Sequence, residues 1–278
     1  MNQRWQATRT ALAETTERFA ELVSATPDPR IRATRDWTVA DTAAHVTAIA
    51  GMYTILVRPG DGPLPEPEVM ESFLGTSVDT VAGFNVVTMN HFTERDLAAL
   101  TERLRADVAE VLRVTADLDP DEPLRWLGDS RVPRCGMLAH LLNELQIHGR
   151  DIARGRKVPW TIPSAEAALF FDEFTVGLLS HQVGNLLVPD PRALPRRIAV
   201  EFRSPHTRPV VIVLQRDKVW VEEPGGEVDV RLRFDPAALN LMLFHRITRA
   251  RAVLTGKLFV HGPRPWLIFP FLRTVRMP

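Results

Sequence analysis

The chain has 278 residues, long enough for one large domain or two ordinary ones with a sizeable buried core. Hydrophobic residues make up 45% and charged residues 24%, a balance that excludes disordered and collagenous classes. Lys+Arg and Asp+Glu are equal at 34 each, so no bulk field favours nucleic acid or an anionic membrane as partner.

The N-terminal "MNQRWQATRTALAETTERF" is amphipathic and charged and lacks the continuous apolar run of a signal peptide. It predicts a first helix over 3–25. No stretch approaches the ~18 uninterrupted apolar residues of a membrane span, so the expected setting is cytoplasmic, without a membrane partner. A Pro-containing link precedes a second helix in "DWTVADTAAHVTAIAGMYTILV", where Thr38 caps and Asp41 stands three residues on, a relative of the capping box. The loop "RPGDGPLPEPE" ends it, because its prolines and glycines cannot continue a helix. A long third helix is expected over 78–117. The fourth follows "RVPRCG", and a fifth starts from Ser164 as N-cap and runs to about Leu187. Four of these are long enough for an antiparallel bundle.

Beyond "VPDPRALP" the period changes to two. "RIAVEFRS", "PVVIVLQRD", "KVWVEE" and "VDVRLRF" read as strands, the last two joined by the turn signal "PGGE". Helical "DPAALNLMLFHRI" and "RARAVL", a strand "KLFVHG" and an aromatic C-terminal helix follow. The expected organisation is an all-α domain over 1–190 and a small α+β domain over 191–278. The single cysteine, Cys135, excludes an internal disulfide framework and a Cys-rich zinc site. It precedes Gly136 at a helix start, a place that lowers a thiol pKa, but no motif surrounds it.

The stretch "NELQIHGRD" puts Glu144 and His148 four residues apart, hence on one helix face, with Asp151 three further on. Read alone, the pair is a surface carboxylate and a capping histidine. The flanking Leu141, Leu142, Leu145, Ile147 and Ile152 leave little room for a solvated face, and a buried glutamate needs a partner. His45 lies in the equally apolar "AAHVTAIA". Three such donors from two facing helices make a reasonable divalent metal site with positions left open. Two nitrogens and one oxygen suit Zn²⁺ and would also accept Fe²⁺, Ni²⁺ or Mn²⁺. His140 completes an i, i+4, i+8 stripe and is the alternative third donor to His45. His91 and His181 are further candidates to face the same cavity, each with an ordinary structural reading beside it. Asp151 either orients a ligand histidine or caps a helix. Arg246, Arg249 and Arg251 form either a carboxylate clamp or a solvated strip.

"DWTVADTAAHV" and "NELQIHGRDIARG" resemble the tryptophan segment and the Glu-x-x-x-His signature of the mycothiol-dependent maleylpyruvate isomerase family, within the DinB-like superfamily. "DPAALNLMLFHRI" and "GKLFVHG" resemble the sterol-carrier-like domain that accompanies it. The resemblance implies a DinB-like antiparallel four-helix bundle followed by a small sterol-carrier-like α+β domain. It implies metal ligation by His45, Glu144 and His148, with Asp151 beside the site. It also implies mycothiol as cofactor, an actinobacterial source, and an arginine reaching the site from the C-terminal domain. Arg246 is the nearest match, with His245 standing where the family has glycine. The expected activity is thiol activation at the metal for S-transfer to, or cis-trans isomerisation of, an electrophilic small molecule. Maleylpyruvate isomerisation proper and a non-catalytic metal- or ligand-binding regulatory module are the alternatives.

Overall fold

The computed structural model describes residues 3–60, 62–187, 195–216 and 218–276. Four helices form the bundle: α1 (Gln3–Ser24), α2 (Val39–Leu56), a helix later in the chain at Leu97–Val114, and another at Arg134–Arg156. The elements between them are α3 (Pro67–Gly75) and α4 (Val81–His91), so the two later bundle helices are α5 (Leu97–Val114) and α6 (Arg134–Arg156). α1 buries one stripe that includes Trp5, Leu12, Phe19 and Val23, the pattern of a helix with one face on a core. α6 is different. Its buried residues run around the whole cylinder, from Arg134 through Leu138, Leu141, Glu144 and Leu145 to Ile152, as expected of a central helix with neighbours on every side.

α2 begins as expected, with a full capping box: the Thr38 hydroxyl accepts from Asp41 N–H while the Asp41 carboxylate accepts from Thr38 N–H. By length and hydropathy α2 alone among the described helices passes as a membrane span, yet 72% of it is buried inside the protein. The single helix expected over 78–117 is instead α4 and α5. Asp96 caps α5 by accepting from Ala99 N–H, and Arg95 turns back to Asp41 and the Phe92 carbonyl. Local caps outcompete a continuous periodicity there. The Pro-rich loop after α2 also carries α3, begun by Pro67 in its first turn. A short hairpin, β1 (Pro123–Trp126) with β2 (Ser130–Pro133), fills the link before α6.

Ser164 does not cap its helix. Its hydroxyl donates to Asp235 instead, and α7 (Ser164–Leu169) passes into a π-helical segment, Phe170–Thr175, before α8 (Val176–Ser180), ending short of Leu187. The π segment rotates successive phenylalanines to different cores: Phe170 and Phe174 join the bundle, Phe171 the second core.

That second core lies under a five-stranded sheet of β3 (Arg197–Arg203), β4 (Val210–Gln215), β5 (Lys218–Glu222), β6 (Val230–Phe234) and β7 (Leu258–His261), in the order β5-β4-β3-β6-β7. The strands fall where alternation places them. β5 and β6, although linked by "PGGE", are not neighbours: the chain crosses the sheet so that β6 runs parallel to β3, with Val230 opposite Val200. Buried Asp229 fixes the crossing by accepting from Ala199 N–H, Arg196 and Arg264. α9 (Pro236–Leu243), α10 (Arg249–Leu254) and α11 (Ile268–Thr274) complete the unit. The chain is thus a helical bundle followed by an α+β unit. The division proposed at residue 190 lies outside the described residues, and Phe171 and Leu179 already belong to the second core. Asn240 of α9 ties the units together, donating to Asn143 Oδ1 on α6 and to the Ala167 carbonyl, each at 3.1 Å.

Gly149 on α6 is held against the Trp160 ring, where an added Cβ would meet Cζ2 at 2.3 Å. Gly149→Ala is therefore expected to lose about 1–3 kcal/mol through overpacking, read by urea unfolding. An unchanged midpoint would show that Trp160 swings away at no cost.

Candidate functional site

The capping box sets where α2 starts, and two turns later His45 faces α6. Glu144 and His148 come up from α6 one turn apart. The His45 Nε2 lies 3.6 Å and the His148 Nε2 3.3 Å from the same Glu144 oxygen, Oε2. The three donor atoms sit within 4.8 Å of one another. A tetrahedral cation with bonds near 2.1 Å would space its donors about 3.4 Å apart, so this set fits one divalent ion. All three residues are at least nine-tenths buried. The Trp37 ring, 4.7 Å from that of His45 and 6.1 Å from that of His148, lies against both imidazoles.

Charge in this position is settled by neighbours. Burial pushes the Glu144 carboxyl up, but hydrogen bonds from His148 and His45 and the charges of His140 and His148 more than reverse it, holding Glu144 well below the usual carboxylate range. Burial lowers His45 and His140. For His148 burial also lowers the pKa, yet Asp151 and Glu144 prevail and raise it to about 9.

Asp151 lies 3.5 Å from the His148 Nδ1, an ion-pair separation. It is gripped by Arg246, whose Nε and Nη2 both donate to its carboxylate, the shorter contact at 2.6 Å. Arg246 Nη1 donates to the Phe244 carbonyl. His245, between them, takes a left-handed backbone conformation at φ 58°, a geometry in which glycine pays no Cβ penalty. The tight turn is therefore kept without the glycine, and Arg246 still reaches Asp151 across 95 residues of sequence.

His140 approaches the other Glu144 oxygen, Oε1, at 3.6 Å. Its Nδ1 is taken by the Tyr53 hydroxyl at 2.9 Å, which accepts from Trp126 Nε1 at 3.0 Å. Tyr53 and Trp126 escape the sequence reading. Tyr53 carries a usable signal, being the only tyrosine and eight residues after His45 on the same helix face; Trp126, in the hairpin, carries none. His91 and His181 lie elsewhere: His91 pairs with Glu68 at 3.1 Å, and the exposed His181 contacts the Gly177 carbonyl. Cys135 is no activated thiol. Burial, aided by the Glu173 charge, pushes it up to about 12. Of the arginine trio only Arg246 reaches the site, while Arg249 lines a different cavity.

The three donors open onto a cavity of about 1330 Å³. Its walls are mostly apolar, with Ile49, Met52, Phe73, Phe84, Phe170 and Phe174 among them, and Arg35, Arg154 and Arg246 contribute cations.

Residues 8–153 match the family model of the mycothiol maleylpyruvate isomerase N-terminal domain. Among solved structures, a variant of mycothiol-dependent maleylpyruvate isomerase aligns at 13% identity over 87% of this chain and 90% of that chain, with a TM-score of 0.48. The mycothiol-dependent maleylpyruvate isomerase itself aligns over the same shares with a TM-score of 0.43. Apo sterol carrier protein 2 from Yarrowia lipolytica, 19% identical, matches 24% of this chain and 62% of its own, with a TM-score of 0.20. No curated protein matches the sequence. The matched span takes in more than half of the 278 residues and carries His45, Glu144, His148 and Asp151, and by it the chain belongs to the mycothiol maleylpyruvate isomerase N-terminal domain family.

Proposed function

We propose that the protein is a mycothiol-dependent metalloenzyme, with a divalent ion, Zn²⁺ by donor chemistry, held by His45, Glu144 and His148. The observation that carries this reading is the convergence of three buried donors from α2 and α6 at the wall of a large cavity. Family membership supports mycothiol as the thiol. A divalent ion there supplies Lewis acidity, which lowers the pKa of a ligated thiol and yields a thiolate near neutral pH.

The chain's own groups do the rest. Asp151 fixes the ring of His148, as carboxylates beside ligand histidines commonly do. Arg246, oriented by Asp151, keeps N–H groups for a carboxylate or carbonyl of the thiol or its acceptor. A closed structural or sensory site would need a fourth protein ligand. Asp151 is gripped by Arg246, and His140, tied to Tyr53 through Nδ1, has its Nε2 3.6 Å from the other Glu144 oxygen, outside the cluster of three donors.

In S-transfer the thiolate sulfur bonds to an electrophilic carbon, and either a leaving group departs with its electron pair or an adjacent double bond takes up a proton. In isomerisation the sulfur adds, rotation follows about the new single bond, and the sulfur leaves. The same residues serve both. S-transfer is our first reading, since the cavity exceeds the roughly 300–1,000 Å³ of drug-sized pockets, and maleylpyruvate isomerisation, which the family name favours, is the second.

Elemental analysis of the purified protein is expected to give about one equivalent of metal, lost in His148→Ala, and calorimetric titration with mycothiol should show binding only to the loaded form. Metal without thiol binding would sink the enzymatic reading. Asp151→Asn should weaken metal affinity about 10–100-fold, read by chelator competition; unchanged affinity would remove Asp151 from the support of His148.

Protons report the same site. His148, raised to about 9 from 6.5, is protonated at pH 7 in the metal-free protein, so metal binding expels a proton. Its charge stabilises the metal-free fold fully below the unfolded value, and that contribution is lost as pH rises through about 9. Calorimetry in buffers of different ionisation enthalpy should show about one proton released per metal at pH 7, with tighter binding toward pH 9. Buffer-independent heats would contradict a charged His148.

A further inference from the structure

A second cavity, about 450 Å³, lies in the α+β unit between the sheet and the helices, walled by Phe202, Leu232, Met242, Leu258 and Phe271. Nothing in the thiol chemistry above uses it. Its lining is almost wholly apolar, with Arg249 and Arg276 the charged exceptions. The two cavities share a wall: Thr175, Val275 and Arg276 line both.

The partition is thin for reasons already visible. The π segment ends at Thr175, turning Phe174 to the metal-side cavity and Phe171 to the second. The C-terminal segment crosses beside it, held by Arg276 donating to Asp79 at 2.6 Å. Thr175 Oγ1 is buried with no hydrogen-bond partner among the described residues, an unused polar atom on the shared wall beside Val275 and Arg276. On the far side of that wall stand the three metal donors.

We infer that the two cavities form one binding path, and that the acceptor is an extended, largely apolar electrophile. Its reactive carbon sits near His45, Glu144 and His148, and its tail passes Thr175 and Val275 into the second cavity. This rests on the thiol-activating reading and adds the substrate class. A small diacid would leave the apolar walls of both cavities wet, whereas an alkyl or polycyclic tail covers them, gaining about threefold to fourfold in affinity per methylene buried.

The test uses two S-conjugates of mycothiol with the zinc-loaded protein: the S-methyl conjugate, and an S-dodecyl conjugate with a diazirine at the chain end. Calorimetry gives both affinities, and irradiation followed by peptide mapping locates the chain end. The inference expects both to bind, the dodecyl conjugate at least tenfold tighter, with label in 239–243 and 265–275. In Val275→Trp, whose folding is checked by its melting temperature, that label should fall several-fold. Binding of both with label confined to α3 and α4 overturns the inference and leaves the thiol reading standing. If mycothiol itself fails to bind the zinc-loaded protein, the thiol reading falls and the inference with it; mycothiol binding without binding of the dodecyl conjugate overturns the inference alone. Should Val275→Trp not fold, the label position in the wild-type protein decides alone.

Discussion

A carboxylate buried on the central helix organises this molecule. α6 is covered on all sides, and an isolated ionised Glu144 at that depth would be prohibitive. Three imidazoles surround it, His45 from α2 and His140 and His148 from α6 itself. The bundle cannot slide α2 past α6 without separating His45 from Glu144, so the cluster fixes helix register as well as chemistry. The outer layer follows: Tyr53 and Trp126 hold His140, and Asp151 with Arg246 holds His148.

The same logic explains why the α+β unit is needed. Asp151 is buried and negative beside His148, and a second cationic partner, Arg246, comes from the turn after α9. That turn is positioned by the Asn240 contacts to α6 and α7 and by the left-handed His245. Arg246 thereby links the second unit to the electrostatics of the donor cluster.

The parts legible in sequence were those governed by short-range rules. The i, i+4 spacing gives Glu144 and His148 a common face, Thr38 and Asp41 announce the start of α2, and alternation locates β3 to β7. What escaped depends on competition or distance. Apolar periodicity runs smoothly through the α4–α5 break, which Asp96 and Arg95 decide locally. Ser164 looks like a cap but finds a better partner in Asp235, 71 residues away. The place of β6 beside β3 hangs on Asp229, whose partners are remote in sequence. The π segment has no composition of its own; it resolves a conflict between two cores that each require a phenylalanine from the same helix.

That shared helix has a thermodynamic consequence. Phe170 and Phe174 are buried in one core and Phe171 and Leu179 in the other, so neither core can melt without unwinding part of the other's wall. Two units that look separable by topology thus share one rod of residues, so that opening either core strips apolar cover from the other.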